Sequence, residues 1–185
     1  MGYEGRIRLG VDDRAARIAG AYAILANVRE ALLAAGFPVE VVSAAGTSTL
    51  PEGLADPTIT EIQAGVYAVM EPELLNLGLP FRCAVAVRGT VISRHAGRLV
   101  LDVGRRSVGM EYGPPLPIGF VATEIAISDE HARISMPDPL PALGSQLDLV
   151  PGQIRTTFNL HDAVWIARSG RIIDRWPISA RGSSQ

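Results

Sequence analysis

Residues 37–49 read FPVEVVSAAGTST, a β-branched run from Val39 to Val42 that passes into small and hydroxylated residues at Ser43–Thr49. A buried parallel strand ending at a ligand-facing loop has this composition. Upstream, residues 12–36 predict one helix. Asp12 and Asp13 stand where an N-cap belongs, Ile18, Tyr22, Leu25, Val28 and Leu32 recur at helical spacing, and Gly36 supplies the stop. Downstream, residues 58–71, TITEIQAGVYAVME, repeat the strand-then-loop pattern. Helix, strand, connection, strand is the order of an α/β unit.

The pattern changes near residue 81. CAVAVRGTVIS, RLVLDVG, VATEIAIS, ARISM, QLDLV, DAVWIARSG and RIIDRWPI follow one another as short β-like runs, separated by glycine, proline and Asp/Ser clusters. Helical periodicity is absent, so the second part is expected to be an all-β sandwich or partly open barrel, with the boundary near residues 72–82. Residues 169–171, SGR, read as a hairpin turn. One helix and two or three strands cannot close a barrel or cover both faces of a parallel sheet, so something else must cover the apolar edges of the first part.

Composition removes several functions. All 17 residues counted as Lys+Arg are arginines. A guanidinium does not lose its proton in proteins, so these 185 residues offer no side-chain amine for a Schiff base. A net charge of −2 with scattered arginines gives no footprint for nucleic acid. No run approaches the apolar length of a membrane span, so no membrane association is expected. Cys83 is the only cysteine, which precludes an intrachain disulfide and fits a reducing cytoplasm. At 48% hydrophobic residues the chain is an ordinary globular sequence, and the tail after Trp176 reads as a frayed end.

Four places carry groups with chemistry. The loop Ser43–Thr49 offers hydroxyls and close backbone approach for a phosphate, or is an ordinary turn after a strand. The segment 61–67, EIQAGVY, ends the next strand beside it, and Tyr67 is either part of a pocket or a half-buried core aromatic. His131 in ISDEHARI and His161 in FNLHDAVW, with Asp162 beside it, are candidate bases or ligands, but neither has a second ligand at i+2, i+3 or i+4, which favours a structural role. Asp102 in LVLDVGRR sits at a strand end, where a carboxylate caps a turn as readily as it catalyses. GxSxG, P-loop, HExxH and GxGxxG motifs are all absent.

MGYEG at 1–5, VSAAGTST at 42–49, TEIQAGVYAVME at 60–71, SDEHARI at 128–134, TTFNLHD at 156–162 and GRIIDRWPISARG at 170–182 occur in this order. Together they resemble the C-terminal portion of the D-threonine aldolase and D-serine dehydratase-like family, fold-type III pyridoxal 5′-phosphate enzymes related to alanine racemase. The resemblance implies α/β plus all-β architecture: residues 1–76 as the last strands of a (β/α) barrel, and residues 77–185 as a β domain that completes the active site. It also implies that Tyr3 lies near the cofactor, that Gly46, Thr47, Ser48 and Thr49 stand in the phosphate-holding loop, and that Gly65 and Tyr67 form the adjoining strand end. Asp102, Arg155 and His131 are the candidate pocket residues.

The departures are local. Ala44, Ala45 and Ser48 occupy positions where the family has glycine, and Val66 stands where a serine commonly donates to the phosphate. The family's two metal ligands, a histidine and two residues later a cysteine or aspartate, correspond here to Gln153 and Arg155, so no metal is expected at this site. The expectation is therefore a subunit or half of a split pyridoxal phosphate lyase, aldolase or dehydratase. It would act on a small amino acid as an oligomer, with a partner chain supplying the Schiff-base lysine and the first barrel strands. The alternative is a non-catalytic homologue serving as a binding or regulatory subunit.

Overall fold

The computed structural model describes residues 4–7, 10 and 12–183. Tyr3 lies outside the described residues. The chain forms two compact units, one running to Met70 and taking in Leu74–Arg82, the other comprising Glu71–Glu73 and Cys83–Gln185.

In the first unit, helix α1 (Arg14–Ala34) begins at Asp13, whose side chain makes no capping hydrogen bond and whose φ is 60°. It ends as glycine at C′ dictates: Gly36 has φ 85°, and the Phe37 amide donates to the Leu32 carbonyl at 3.0 Å. Of the expected stripe, Ile18 and Tyr22 are buried and Leu25 is half-buried, whereas Val28 and Leu32 are 52% and 41% exposed, as is the neighbouring Ile24 at 64%. The expected apolar stripe is thus only partly covered within its own unit. Strands β1 (Ser43–Ala44) and β2 (Glu61–Ile62) are parallel, and a short helix α2 (Leu50–Ala55) lies between them in the chain. Both strands are far shorter than the β-branched runs suggest, and residues 37–42 form no strand. Gly53 of α2 is required by packing, since a Cβ there would come within 2.5 Å of the Ala45 methyl.

The second unit carries strands β3 (Val87–His95), β4 (Arg98–Leu101), β5 (Leu116–Ile118), β6 (Glu124–Ile127), β7 (Ala132–Ser135) and β8 (Gln146–Val150). They form one antiparallel sheet in the order β5-β8-β3-β4-β7-β6. Alternation places Leu99, Leu101, Ala132 and Ile134 inward, where they pack with Val91, Val103, Val108 and Leu149. A bulge between Val91 and Ser93 turns Ile92 outward. Helix α3 (Ile154–Asn159) and the hairpin β9 (Ala163–Arg168) and β10 (Arg171–Pro177) follow. Ser169 and Gly170, both at positive φ, make the hairpin turn as read from the sequence. Helix α3, six residues long, is an element that the absence of helical periodicity did not foretell.

Candidate functional site

The parallel register Ser43↔Glu61 and Ala44↔Ile62 sends the segments after β1 and β2 off the same end of the pair. They are joined there: the Tyr67 amide donates to Thr47 Oγ1 at 3.0 Å. The Gly46 amide donates to Thr49 Oγ1 at 3.0 Å, and the Thr49 amide returns to the Gly46 carbonyl at 3.1 Å. Thr47 and Thr49 are buried, so their hydroxyl oxygens shape the loop from within. Ser48 Oγ donates to the Gly5 carbonyl at 3.3 Å. Ala45 has φ 60°, a conformation glycine adopts without the steric cost of a Cβ, so the alanine at this position carries a backbone cost that a glycine would not.

Among the described residues, the amides of Thr47, Ser48, Gly65 and Val66 have no intramolecular acceptor. Gly46 and Gly65 have φ of −137° and −132°, backbone that any residue adopts, and a Cβ at either would meet nothing within 4 Å. Neither packing nor backbone geometry of this unit demands glycine there. Free amides beside open glycines at paired strand ends fit an oxyanion such as a phosphate. Arg14, which sequence reasoning missed, pins the loop from behind. Its Nη2 donates to the Ser48 carbonyl and its Nη1 to Glu52 Oε1, each at 2.5 Å. Nothing in the sequence marks an arginine in a helix's first turn as a loop clamp.

Tyr67 is 44% exposed and its ring lies 5.2 Å from that of Phe81, so it is a surface aromatic pair rather than core. Beneath the loop Tyr22 is buried, and burial pushes its phenol pKa up. The Thr49 hydroxyl acts in the opposite sense, while Glu4, Glu52 and Asp56 add to the rise.

The remaining candidates lie in the second unit. Asp102 Oδ1 accepts the Thr90 amide at 2.5 Å, at the end of the β3–β4 pair. His131 is exposed, and its carbonyl accepts both the amide and the hydroxyl of Ser128, closing the turn between β6 and β7. His161 Nε2 lies 2.8 Å from the Ser107 carbonyl. A carbonyl only accepts, so the proton resides on Nε2. Asp162 pairs with Arg181.

Gln153 is buried and caps α3: its Oε1 accepts from the Thr156 amide at 2.6 Å. Glu71 Oε1 accepts the Ile154 amide at 3.2 Å. Thr156 Oγ1 lies 2.7 Å from Gln153 Oε1 and 2.8 Å from Glu111 Oε2; its single proton goes to the charged carboxylate. Arg155 Nη2 donates to Tyr112 Oη at 3.0 Å, with the guanidinium carbon 5.8 Å from the Tyr112 ring centroid. The Gln153 oxygen is engaged in capping and the guanidinium has no lone pair, so this pair does not fit a divalent metal. No group of three or more His, Cys, Asp or Glu side chains able to hold a metal occurs among the described residues.

A separate cleft of about 710 Å³ lies between the 84–88 segment, α3 and the β9–β10 hairpin, with His161 and Trp165 in its wall. Asp102, His131, Gln153 and Arg155 do not line it. At its edge Arg88 and Asp148, opposite each other across β3 and β8, form a two-point ion pair at 2.7 and 2.8 Å.

The family described as a putative serine dehydratase domain matches residues 84–167. A D-threonine aldolase from an Arthrobacter species is 38% identical over 186 residues, covering 96% of this chain and 48% of that protein. The crystal structure of a D-threonine aldolase from Filomicrobium marinum superposes with a TM-score of 0.83 at 30% identity, covering 93% of this chain and 50% of that one. An uncharacterized protein of Mycobacterium tuberculosis is 35% identical over 130 residues, 62% of this chain and 97% of that protein. The chain belongs to the D-threonine aldolase and D-serine dehydratase-like family. It represents the C-terminal portion of that family and spans about half the length of the aldolases it matches. No helix among the described residues is long and apolar enough to cross a membrane.

Proposed function

We propose that these residues form one half of the site of a pyridoxal phosphate-dependent lyase acting on a β-hydroxy amino acid, by retro-aldol cleavage or dehydration. The Schiff-base lysine is supplied from outside these 185 residues, and we assign it to a partner chain that carries the first barrel strands. The observation that carries this reading is the pair of strand ends joined through Thr47 and Tyr67, with free amides and open glycines beside them. When bound, pyridoxal phosphate supplies the electron sink for bond cleavage at Cα.

This chain's own part is to bind and orient. The amides of Thr47, Ser48, Gly65 and Val66 hold the phosphate, and Arg14 keeps their loop in place. Among the described residues, strands β1 and β2 have no further strand beside them, and the exposed Ile24, Val28 and Leu32 of α1 leave an apolar face to cover. A second reading, a non-catalytic binding subunit, is favoured by Gln153 and Arg155 at the family's metal positions.

Calorimetric titration of pyridoxal phosphate into the purified chain tests the first reading. Gly46→Ala is expected to leave the melting temperature unchanged or slightly raised, because the alanine meets no clash and restricts the unfolded chain. It is expected to weaken phosphate binding by ten-fold or more. Equal affinity in the two proteins would remove the phosphate cradle from the account. Tight binding without turnover in the presence of a lysine-bearing half-barrel would favour the binding subunit.

A further inference from the structure

The guanidinium of Arg155 is exposed and, among the described residues, has no carboxylate within ion-pair distance. One of its five N–H groups is taken by Tyr112 Oη, and the guanidinium carbon lies 5.8 Å from the centroid of the same ring, so Tyr112 holds one side of the fork. The nearby acid, Glu111, is turned to Thr156 Oγ1. An arginine held on one side by a tyrosine, with its charge otherwise unanswered, presents the planar donor pair that matches a carboxylate.

From this disagreement with the family's metal ligands we infer that Arg155, oriented by Tyr112, is a carboxylate-binding residue that replaces a divalent ion as the local positive charge. The inference rests on the lyase reading only for the identity of the ligand, an amino-acid substrate; the binding itself does not require it. Two sources share the chemistry, the α-carboxylate and a side-chain carboxylate at Cβ. Tyr112 is a positioning residue here. The fixed cation needs no proton loss and no exchangeable metal, so carboxylate binding is expected to be insensitive to chelators.

The test is titration of D-alanine, D-aspartate and succinate into the full chain, followed by calorimetry and by the Nε–Hε resonance of Arg155, with and without a chelator. Wild type is expected to bind at least one of the three with a chelator-insensitive affinity that falls ten-fold or more in Arg155→Gln and partly recovers in Arg155→Lys. Equal binding of D-alanine and D-aspartate assigns the site to the α-carboxylate; binding of D-aspartate and succinate alone assigns it to the side chain. Tyr112→Phe is expected to weaken binding less than Arg155→Gln, with the fold intact. Unchanged affinity in Arg155→Gln, or binding that appears only with manganese or zinc, would overturn the inference. Neither result would bear on the phosphate cradle, whose test is the Gly46→Ala titration.

Discussion

A methyl group added at Gly46 or Gly65 would meet nothing within 4 Å, whereas one at Gly109 would lie 2.1 Å from Thr156 Oγ1 and 2.6 Å from the Gln153 carbonyl. The two kinds of glycine answer to different constraints. Gly109 lets the 109–113 segment pack on the start of α3, where its amide also donates to Thr157 Oγ1 at 2.9 Å. Gly109→Ala is therefore expected to destabilise the second unit by at least about 2 kcal/mol in urea denaturation. An unchanged midpoint would mean that this packing is looser than described. Thr47 combines both constraints, since its buried Oγ1 receives the Tyr67 amide. Thr47→Val strands that amide and is expected to cost about 1–3 kcal/mol, together with a loss of phosphate affinity. The sequence made Gly46 and Thr47 legible because small and hydroxylated residues follow a β-branched run. It left Arg14 illegible, because a loop clamp is defined by partners 34 and 38 residues away.

Among the elements, the strands of the second unit and the SGR turn could be read directly from alternation and turn chemistry. Strand β5 and helix α3 could not. Strand β5 is three residues long and contains Pro117, tolerated because β5 lies at the sheet's edge. Helix α3, IRTTFN, is rich in β-branched residues and is held by side chains outside it, the Gln153 and Glu71 oxygens. The Arg88–Asp148 pair belongs to this scale because it ties β3 to β8. The Arg88 guanidinium, chiefly through its hydrogen bonds and then its charge, holds the Asp148 carboxyl below its usual range, with burial opposing. A depressed carboxyl contributes stability that is full above the ordinary aspartate pKa of about 3.9 and is lost as pH falls through its lower folded value. Because Arg88 is 59% exposed, solvent screening limits the contribution to about 1 kcal/mol or less. Asp148→Asn is expected to be less stable than wild type by up to that amount at pH 7, with the gap closing on acidification below about pH 3.9. A gap that persists unchanged into strong acid would point to packing rather than charge.

At the scale of the whole molecule, the sequence's most decisive statement is a missing residue type: 17 arginines and no lysine. Among the described residues, the structure adds a sheet of only two short strands and a helix whose Ile24, Val28 and Leu32 are exposed. An isolated pair of two-residue strands is a poor barrier to solvent, and apolar faces of this kind are covered by association. The split-site account therefore stands on where the cofactor's covalent attachment lies. The direct measurement is borohydride reduction of the assembly isolated from cells with its bound pyridoxal phosphate, followed by peptide mass spectrometry. The account predicts a pyridoxyl group on a lysine peptide from a second chain and none on any peptide of residues 1–185. A pyridoxyl group fixed to a peptide of this chain, or stoichiometric and active cofactor in an assembly with no lysine-bearing partner, would contradict it.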